Sequence, residues 1–183
     1  MKTEIETRFL GIDKNSLISR LKSLGAVDNG EAKLNDTIFY DKDLTWLGQH
    51  KLIKVREKNG KAKLSFKSNK EQTVDSTKEI EFDVSDAEEA KIFLESVGFV
   101  IFRTVEKRRH SFSLDNVSVD VDTWPEIPIF VELEGSSVEE LKLIAQKLEL
   151  DWEQRFDGDP REVYKKYGFD FDNIRTITFD KFE

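Results

Sequence analysis

Cysteine is absent from the sequence, and histidine occurs only as His50 and His110. The missing thiols exclude disulfides, thiolate metal sites, iron–sulfur clusters and a cysteine nucleophile. Two imidazoles are also too few for a metal site that is built from several histidines. Any metal ion that this chain binds must therefore be held mainly by oxygen ligands.

Long apolar runs and glycine-rich phosphate loops are missing as well. No segment approaches the ~18 consecutive apolar residues of a membrane span, and the start MKTEIE lacks the apolar stretch of a signal peptide. We therefore expect a cytoplasmic protein that contacts no membrane. Neither GxxxxGK[ST] nor GxGxxG occurs, so any bound phosphate would have to be held by side chains.

The charge balance is acidic, with 29 Lys and Arg against 37 Asp and Glu and a formal net charge of −8. A field of that sign disfavours binding to long nucleic acids, although it leaves room for a local cationic pocket. The chain has 183 residues, of which 38% are hydrophobic, so it is long and apolar enough to fold without disulfides. No linker or low-complexity tract divides it, and we predict a single domain over residues 1–183.

An internal repeat organises the chain. Residues 4–26 and 79–99 both begin with Glu-Ile-Glu and end with Ser, then Leu or Val, then Gly and an apolar residue. Apolar residues recur between these points with helical spacing, and a looser third copy starts at Glu132. Each copy therefore predicts a strand that leads into an amphipathic helix. A short last helix is predicted to begin at Pro160 and to run to about Gly168.

Turn signals separate the predicted strands. Asn59-Gly60 is a specific hairpin signal, and Asp115-Asn116 stands between two further alternating segments. Eight or nine strands with about four helices predict an α+β fold, either an antiparallel barrel or a strongly curved sheet with helices outside. The predicted strands cover residues 2–10, 35–41, 51–58, 61–68, 77–84, 99–104, 105–114, 117–123 and 128–134.

Most of these strands carry one charged face and one apolar face, because side chains at i and i+2 share a face. Carboxylates cluster on some strands, and Lys or Arg on others. The charged faces comprise Glu4, Glu6 and Arg8; Lys54 and Arg56; Lys63, Ser65 and Lys67; Glu79, Glu81 and Asp83; Lys107 and Arg109; Asp120 and Asp122; and Glu132 and Glu134.

The charged faces have two interpretations. Each strand alone is typical of an antiparallel sheet that exposes its charges to water. As a set, however, the helices must cover the apolar faces, so that in a closed sheet the charged faces would point at one another. Buried charges are costly unless they are paired or bind a ligand. Carboxylates suit Mg²⁺ or Mn²⁺ and several cations suit a compact polyanion, so the combination predicts a metal-bound polyphosphate.

The order of these residues resembles the CYTH family, also called the triphosphate tunnel metalloenzymes. The Glu-x-Glu-x-Lys signature of that family is matched at residues 4–8, with Arg8 in place of the Lys. The resemblance covers residues 4 to about 168 and leaves a C-terminal extension at 169–183. Further matches, in order, are the DTIFYD segment at 36–41, Ile53-Lys54-Val55-Arg56, Leu64-Ser65-Phe66-Lys67, Lys107-Arg108-Arg109, Asp122, Glu132-Leu133-Glu134 and Tyr164.

The resemblance implies an antiparallel eight-stranded closed β-barrel, a triphosphate tunnel, with helices packed on the outside. It implies Mg²⁺ or Mn²⁺ as the cofactor, a small triphosphate such as ATP or tripolyphosphate as the ligand, and a homodimer by family habit. Glu79 and Glu81 would join the metal ligands or orient water for catalysis. The metal ligands would be Glu4, Glu6, Asp122, Glu132 and Glu134. The triphosphate would be held by Arg8, Lys54, Arg56, Lys67, Lys107 and Arg109.

Within the family, the chain is most similar to class IV adenylate cyclases, which convert ATP to cyclic AMP and pyrophosphate. This similarity rests on the compact chain and on the segment WPEIPIFVELEG. An inorganic tripolyphosphatase, or a nucleoside or thiamine triphosphatase that releases orthophosphate, is the alternative. A non-catalytic polyphosphate-binding module is a third hypothesis, but retention of every expected acidic metal position favours an enzyme.

Three ring side chains stand near these motifs without belonging to them. His110 lies on the strand face opposite to Lys107 and Arg109 by alternation. We interpret His50 and His110 as surface or packing residues, not as general bases. Trp124 follows the aspartate motif closely, and we interpret it as a packing residue and not as a platform for a nucleobase.

Overall fold

The computed structural model describes residues 2–69 and 77–183, with side chains from Ile5 onward. The α+β class is confirmed. The strands are β1 Lys2–Leu10, β2 Val27–Asp41, β3 Lys51–Lys58, β4 Lys61–Asn69, β5 Thr77–Val84, β6 Phe99–Leu114, β7 Val117–Thr123, β8 Phe130–Gly135 and β9 Thr176–Ile177. The helices are α1 Lys14–Ser23, α2 Thr45–Gly48, α3 Ala87–Ser96, α4 Val138–Lys147 and α5 Pro160–Lys166.

Strands β1 to β8 form one curled antiparallel sheet in the order β2-β3-β4-β5-β1-β8-β7-β6, and β2 also pairs with β6. The seam between β1 and β5 is short, because it joins only residues 2–4 to residues 77–79 among those described. From Ile5 onward β1 pairs with β8, and on its other edge the backbone of Arg8 bonds to Phe156. The expected closed barrel is therefore corrected to a curled eight-stranded sheet with an incomplete seam.

Two strands are longer than their patterns predicted. Residues 99–104 and 105–114 form the single strand β6, because no turn residue interrupts the alternation between them. Strand β2 begins at Val27 because its first half pairs with the distant end of β6. The predicted hairpin between β3 and β4 is confirmed, and its central residues Asn59 and Gly60 adopt positive φ angles of 51° and 73°.

Helices cover the apolar outer face of the sheet in three clusters. Helices α1 and α4 pack on β1, β7 and β8, where Leu21, Leu133 and Leu141 are fully buried. Helix α5 and residues 167–182 pack around Tyr164, next to Trp124, and α3 packs on β2 and β3. No helix in residues 2–69 or 77–183 is long and apolar enough to cross a membrane. The helices therefore leave the inner, charged face of the curled sheet facing a central cavity.

Candidate active site

The inner face of the sheet surrounds a cavity of about 520 Å³. Most of the charged residues that the sequence singles out line this cavity. Asp122 does not line it, and the side chain of Glu4 lies outside the described residues. The lining cations from that set are Arg8, Lys54, Arg56, Lys67, Lys107 and Arg109, and the lining carboxylates are Glu6, Glu79, Glu81, Glu132 and Glu134.

Arg8 links three parts of the cavity wall. Its Nη2 donates to Glu6 Oε1 at 2.8 Å and lies 2.6 Å from Glu132 Oε2, while Nη1 donates to the carbonyl oxygen of Gly158 at 2.9 Å. Burial alone would lower the pKa of Arg8. The carboxylates of Glu6 and Glu132 have the larger combined effect and raise this pKa overall. The arginine in the place of the family's lysine therefore makes a forked set of contacts that an ammonium group lacks.

Arg109 and Lys107 converge on Asp122. Arg109 donates from Nε and Nη2 to the two oxygens of Asp122 at 2.7 Å each, and Lys107 Nζ donates to Asp122 Oδ2 at 2.9 Å. Trp124 Nε1 also donates to Asp122 Oδ2, at 3.2 Å. Burial would raise the pKa of Asp122, but Arg109 and Lys107 together lower it. Asp122 is therefore an ionised, fully buried anchor behind two cavity cations.

A divalent metal would find its donors at the junction of β1 and β8. Glu6 and Glu134 are cross-strand partners there, and Glu132 lies two residues along β8. Arg8 and Arg109 already contact Glu132, and no ready cluster of three metal-binding residues is formed within the described ranges. The all-oxygen chemistry of Glu6, Glu132 and Glu134 nevertheless fits Mg²⁺ or Mn²⁺. Asp122 fits this role less well than Glu132, because it does not line the cavity and its oxygens accept from two cations and an indole.

The opposite wall, on β3 and β4, holds a less neutralised set of cations. Arg56 makes a bidentate pair with Asp36 at 2.7 and 2.6 Å, and Lys67 lies 3.4 Å from Glu79. Lys54 is buried and makes no hydrogen bond or ion pair with the part of the chain that the structure describes. Burial, together with the charges of Arg56 and Lys67, lowers the pKa of Lys54 to about 7. Lys54 is therefore a buried amine that has no directly contacting counter-ion within residues 5–69 and 77–183.

The two carboxylates of β5 differ in their surroundings. Glu79 lies opposite Lys67 across the β4–β5 ladder, whereas Glu81 contacts the more exposed Lys63 at 2.6 Å. Both line the cavity. Burial raises the pKa of Glu81, but the bond from Lys63 and the nearby cations lower it overall. Glu81 therefore stays ionised under ordinary conditions.

Several cavity residues were missed by the sequence argument. Arg103 and Val105 lie on the same inner face of β6 as Lys107 and Arg109. Extending the two-residue alternation back along this strand would therefore have found Arg103. Trp124 packs in the core as predicted, but it also lines the cavity. His50, which was assigned to the surface or to packing, contributes to the cavity wall too. The remaining missed lining residues are Asp36, Ile38, Tyr40, Lys51, Leu52, Asn69, Thr77, Asp157, Asp159, Pro160, Arg161 and Phe171.

His110 lies outside this site, as strand alternation predicted. Its Nε2 is 2.7 Å from Asp28 Oδ1, and its ring stacks on Phe112 with the centroids 4.3 Å apart. Neither contact reaches the cavity. His110 therefore has no part in the candidate site.

A family model described as the CYTH domain matches residues 2–158. The chain belongs to the CYTH family. A Methanocaldococcus jannaschii protein named "putative adenylate cyclase" is 24% identical to this CYTH chain over 134 residues, which make up 73% of this chain and 77% of that protein.

Solved structures share the CYTH fold seen here. A Pyrococcus horikoshii protein superposes with a TM-score of 0.74 at 27% identity, over 87% of this chain and 98% of that one. A Hippeastrum protein, described as having a dominant triphosphatase activity, superposes with a TM-score of 0.68 at 12% identity, over 92% and 97% of the two chains. At that identity the second likeness shows the fold alone.

Proposed function

We propose that this CYTH chain is a divalent-metal-dependent enzyme that acts on a triphosphate inside the cavity. The observation that carries the proposal is the pairing of an oxygen-rich wall on β1 and β8 with a cation-rich wall on β3 and β4 around one cavity. Buried Lys54, without a counter-ion among the described residues, is especially suited to an anionic ligand. Side chains would hold the phosphates, in line with the missing glycine-rich loop.

The proposed roles follow from the contacts. Lys54, Arg56 and Lys67 bind the phosphate oxygens from one wall, and Arg8, Lys107 and Arg109 bind them from the other. Glu6, Glu132 and Glu134, with Glu4 by the sequence match, hold Mg²⁺ or Mn²⁺. When bound, the metal neutralises charge that develops on phosphate oxygens. We assign Asp122 to positioning Lys107 and Arg109, and Glu79 and Glu81 to orienting the nucleophile or completing the metal ligands.

The lead reaction is that of class IV adenylate cyclases. The ribose 3′-oxygen of ATP bonds to the α-phosphorus, the bond from that phosphorus to the oxygen bridging to the β-phosphorus breaks, and the hydroxyl proton is released as pyrophosphate leaves. The name of the Methanocaldococcus relative supports this candidate. Hydrolysis of the terminal phosphate by water is the second candidate, and the activity described for the Hippeastrum protein favours it. Both reactions use the same binding groups.

Product analysis tests the proposal. Purified protein is incubated with ATP or with tripolyphosphate, each with Mg²⁺ or Mn²⁺ and each with a chelator control. Cyclic AMP with pyrophosphate would establish the cyclase, and orthophosphate without cyclic AMP would establish the hydrolase. Absence of both turnover and binding for either substrate with either metal would overturn the proposal.

A matched pair of variants on β4 locates the activity in the cavity. Lys67→Ala removes a lining cation, and Lys61→Ala removes an exposed cation of the same strand that does not line the cavity. We expect Lys67→Ala to weaken tripolyphosphate binding about tenfold or more, since a hydrogen bond to a charged group is lost. Lys61→Ala should change it by less than about twofold. Equal effects of the two variants would place the binding site elsewhere.

A further inference from the structure

The cavity wall continues beyond the end of the family match at residue 158. Asp159, Pro160, Arg161 and Phe171 all line the cavity. The chain reaches this position by crossing the incomplete seam of the sheet, where Arg8 N and Phe156 O are 3.1 Å apart and Phe156 N and Arg8 O are 2.7 Å apart. The C-terminal segment, defined here as residues 156–177, therefore closes part of the cavity that the eight strands leave open.

Arg161 is held in a fixed orientation at this end. Its Nε and Nη2 donate to Asp159 Oδ2 at 2.9 and 2.6 Å, and Nη2 lies 3.0 Å from His50 Nδ1, on the turn before β3. Asp159 also caps helix α5 by accepting from the backbone N–H groups of Arg161 and Glu162. The Nη1 group of Arg161 bonds to nothing within the described ranges. A preorganised donor is thus presented at the cavity wall.

Two further donors lie near Arg161. The Tyr40 hydroxyl makes no hydrogen bond with the described residues, although the ring is 4% exposed and lines the cavity. Burial raises the pKa of Tyr40, and the charges of Arg161 and Arg103 oppose that shift. Both arginines line the cavity with Tyr40. Arg103 stacks 3.6 Å from the Phe171 ring centroid, and its Nε and Nη2 donate to carbonyl oxygens of the C-terminal segment. Its Nη1 has no acceptor among the described residues.

Apolar side chains line the same cavity as these donors. Ile38, which pairs with Arg103 across the β2–β6 ladder, lines the cavity with Leu52, Val105, Pro160 and Phe171. An inorganic triphosphate has no group that gains from contact with such surfaces. An aromatic ring with acceptor atoms gains binding free energy both by packing on the apolar side chains and by accepting hydrogen bonds from the donors.

We propose that the C-terminal segment completes a subsite for the nucleoside part of a nucleoside triphosphate, with Arg161 and Tyr40 as specificity-determining donors. This inference rests on the proposed function, because it assumes that the phosphates occupy the cationic centre of the cavity. A further phosphate is a poorer occupant of this end. It would compete with Asp159 for Arg161, and the carboxylate of Asp157 also faces the cavity.

The test compares ATP with tripolyphosphate on the same variants of the full chain. Arg161→Gln and Tyr40→Phe remove donors with little change in volume, and Lys165→Ala is the matched control, since it removes an exposed cation of the same helix outside the cavity. Dissociation constants are measured by thermal-shift titration with Mg²⁺, after circular dichroism has shown that each variant is folded. We expect Arg161→Gln to weaken ATP binding about tenfold and tripolyphosphate binding less than about twofold.

The outcomes distinguish failure of the subsite from failure of the proposed function. A selective loss for ATP in Arg161→Gln, with a smaller loss of the same kind in Tyr40→Phe and none in Lys165→Ala, supports the subsite. Equal losses for both ligands, or no loss for either, overturn the subsite and leave the proposed function standing. Wild-type protein that binds tripolyphosphate but not ATP also overturns the subsite and leaves the proposed function standing. Wild-type protein that binds neither ligand overturns both proposals.

Discussion

The two halves of the curled sheet handle buried charge differently. In the half formed by β1, β6, β7 and β8, here called the paired half, Arg109 alone donates four hydrogen bonds to Asp120, Asp122 and Glu132. In the half formed by β3, β4 and β5, here called the open half, Lys54 has no such partner among the described residues. The outer faces differ as well, since α1 and α4 cover the paired half while Ile80 and Phe82 on β5 are 45% and 53% exposed.

This difference separates structural charge from ligand-binding charge. A buried ion stabilises a fold only when its partners offset the loss of hydration, and Asp122 in the paired half meets that condition before any ligand arrives. The open half keeps a buried amine whose desolvation is only partly offset by the charges of Asp36 and Glu79, which costs stability in the free protein. An anionic ligand would supply the missing partner. The paired half should therefore dominate stability, and the open half should dominate the response to ligand.

The largest expected effect is the loss of Asp122. Asp122→Ala leaves Lys107 and Arg109 buried without their shared carboxylate, and we expect the free energy of unfolding to fall by about 3–5 kcal/mol. Urea denaturation measures the change. Glu81→Ala is the control in the open half, where a partly exposed pair with Lys63 should contribute about 0–1 kcal/mol. Similar losses in the two variants would abolish the distinction between the halves.

Removal of the Lys54 amine should act in the opposite direction on stability. Lys54→Met keeps the aliphatic length and removes a buried charge, so we expect the free energy of unfolding to stay equal or to rise. Tripolyphosphate binding should weaken about tenfold to hundredfold, as for other lost hydrogen bonds to charged groups. Urea denaturation and a binding titration on the same preparation measure both. A marked loss of stability with unchanged binding would show that Lys54 is structural.

The smallest expected effect is a pH dependence from the same residue. Burial beside Arg56 and Lys67 lowers the pKa of Lys54 from 10.5 to about 7, and Asp36 and Glu79 only partly oppose this shift. Bound phosphate restores the proton, so affinity should fall as pH rises above about 7, by at most about tenfold per pH unit. In the free protein, the stability of the fold has the opposite pH dependence to this affinity. The folded state binds fewer protons than the unfolded state between the two pKa values, so the Lys54 contribution to stability rises with pH there.

Lys54→Arg provides the control for this pH dependence, because a guanidinium keeps its charge throughout the range. The difference between the wild-type and Lys54→Arg binding curves removes the titration of the phosphate itself. Parallel curves for the two proteins would contradict the assignment to Lys54.

Much of the fold was predictable because its signals are local. The period-2 alternation of β6 placed Lys107 and Arg109 on one face and His110 on the other, and Asn59-Gly60 marked the β3–β4 hairpin. The incomplete seam was not predictable in the same way. It depends on whether the edge of β1 meets β5 or Phe156, two segments that lie far apart along the chain.

The candidate site shows the same division. Strand alternation placed Lys54, Arg56 and Glu132 towards the cavity, but it gave no means of telling a lining carboxylate from the buried anchor Asp122. Arg161 could not be found from its neighbours, since its contact with His50 spans 111 positions of the sequence. Such contacts come from packing and not from periodicity.

The sequence by itself determined the strands, their charged inner faces, the all-oxygen donor set and the family motifs, because each depends on residue type and short-range spacing. The tertiary structure decided which charges neutralise one another, which amine has no counter-ion among the described residues, and which distant segment crosses the seam. The physical reason is that ion pairing and desolvation depend on distances in space. Curling the sheet and docking the C-terminal segment set those distances together.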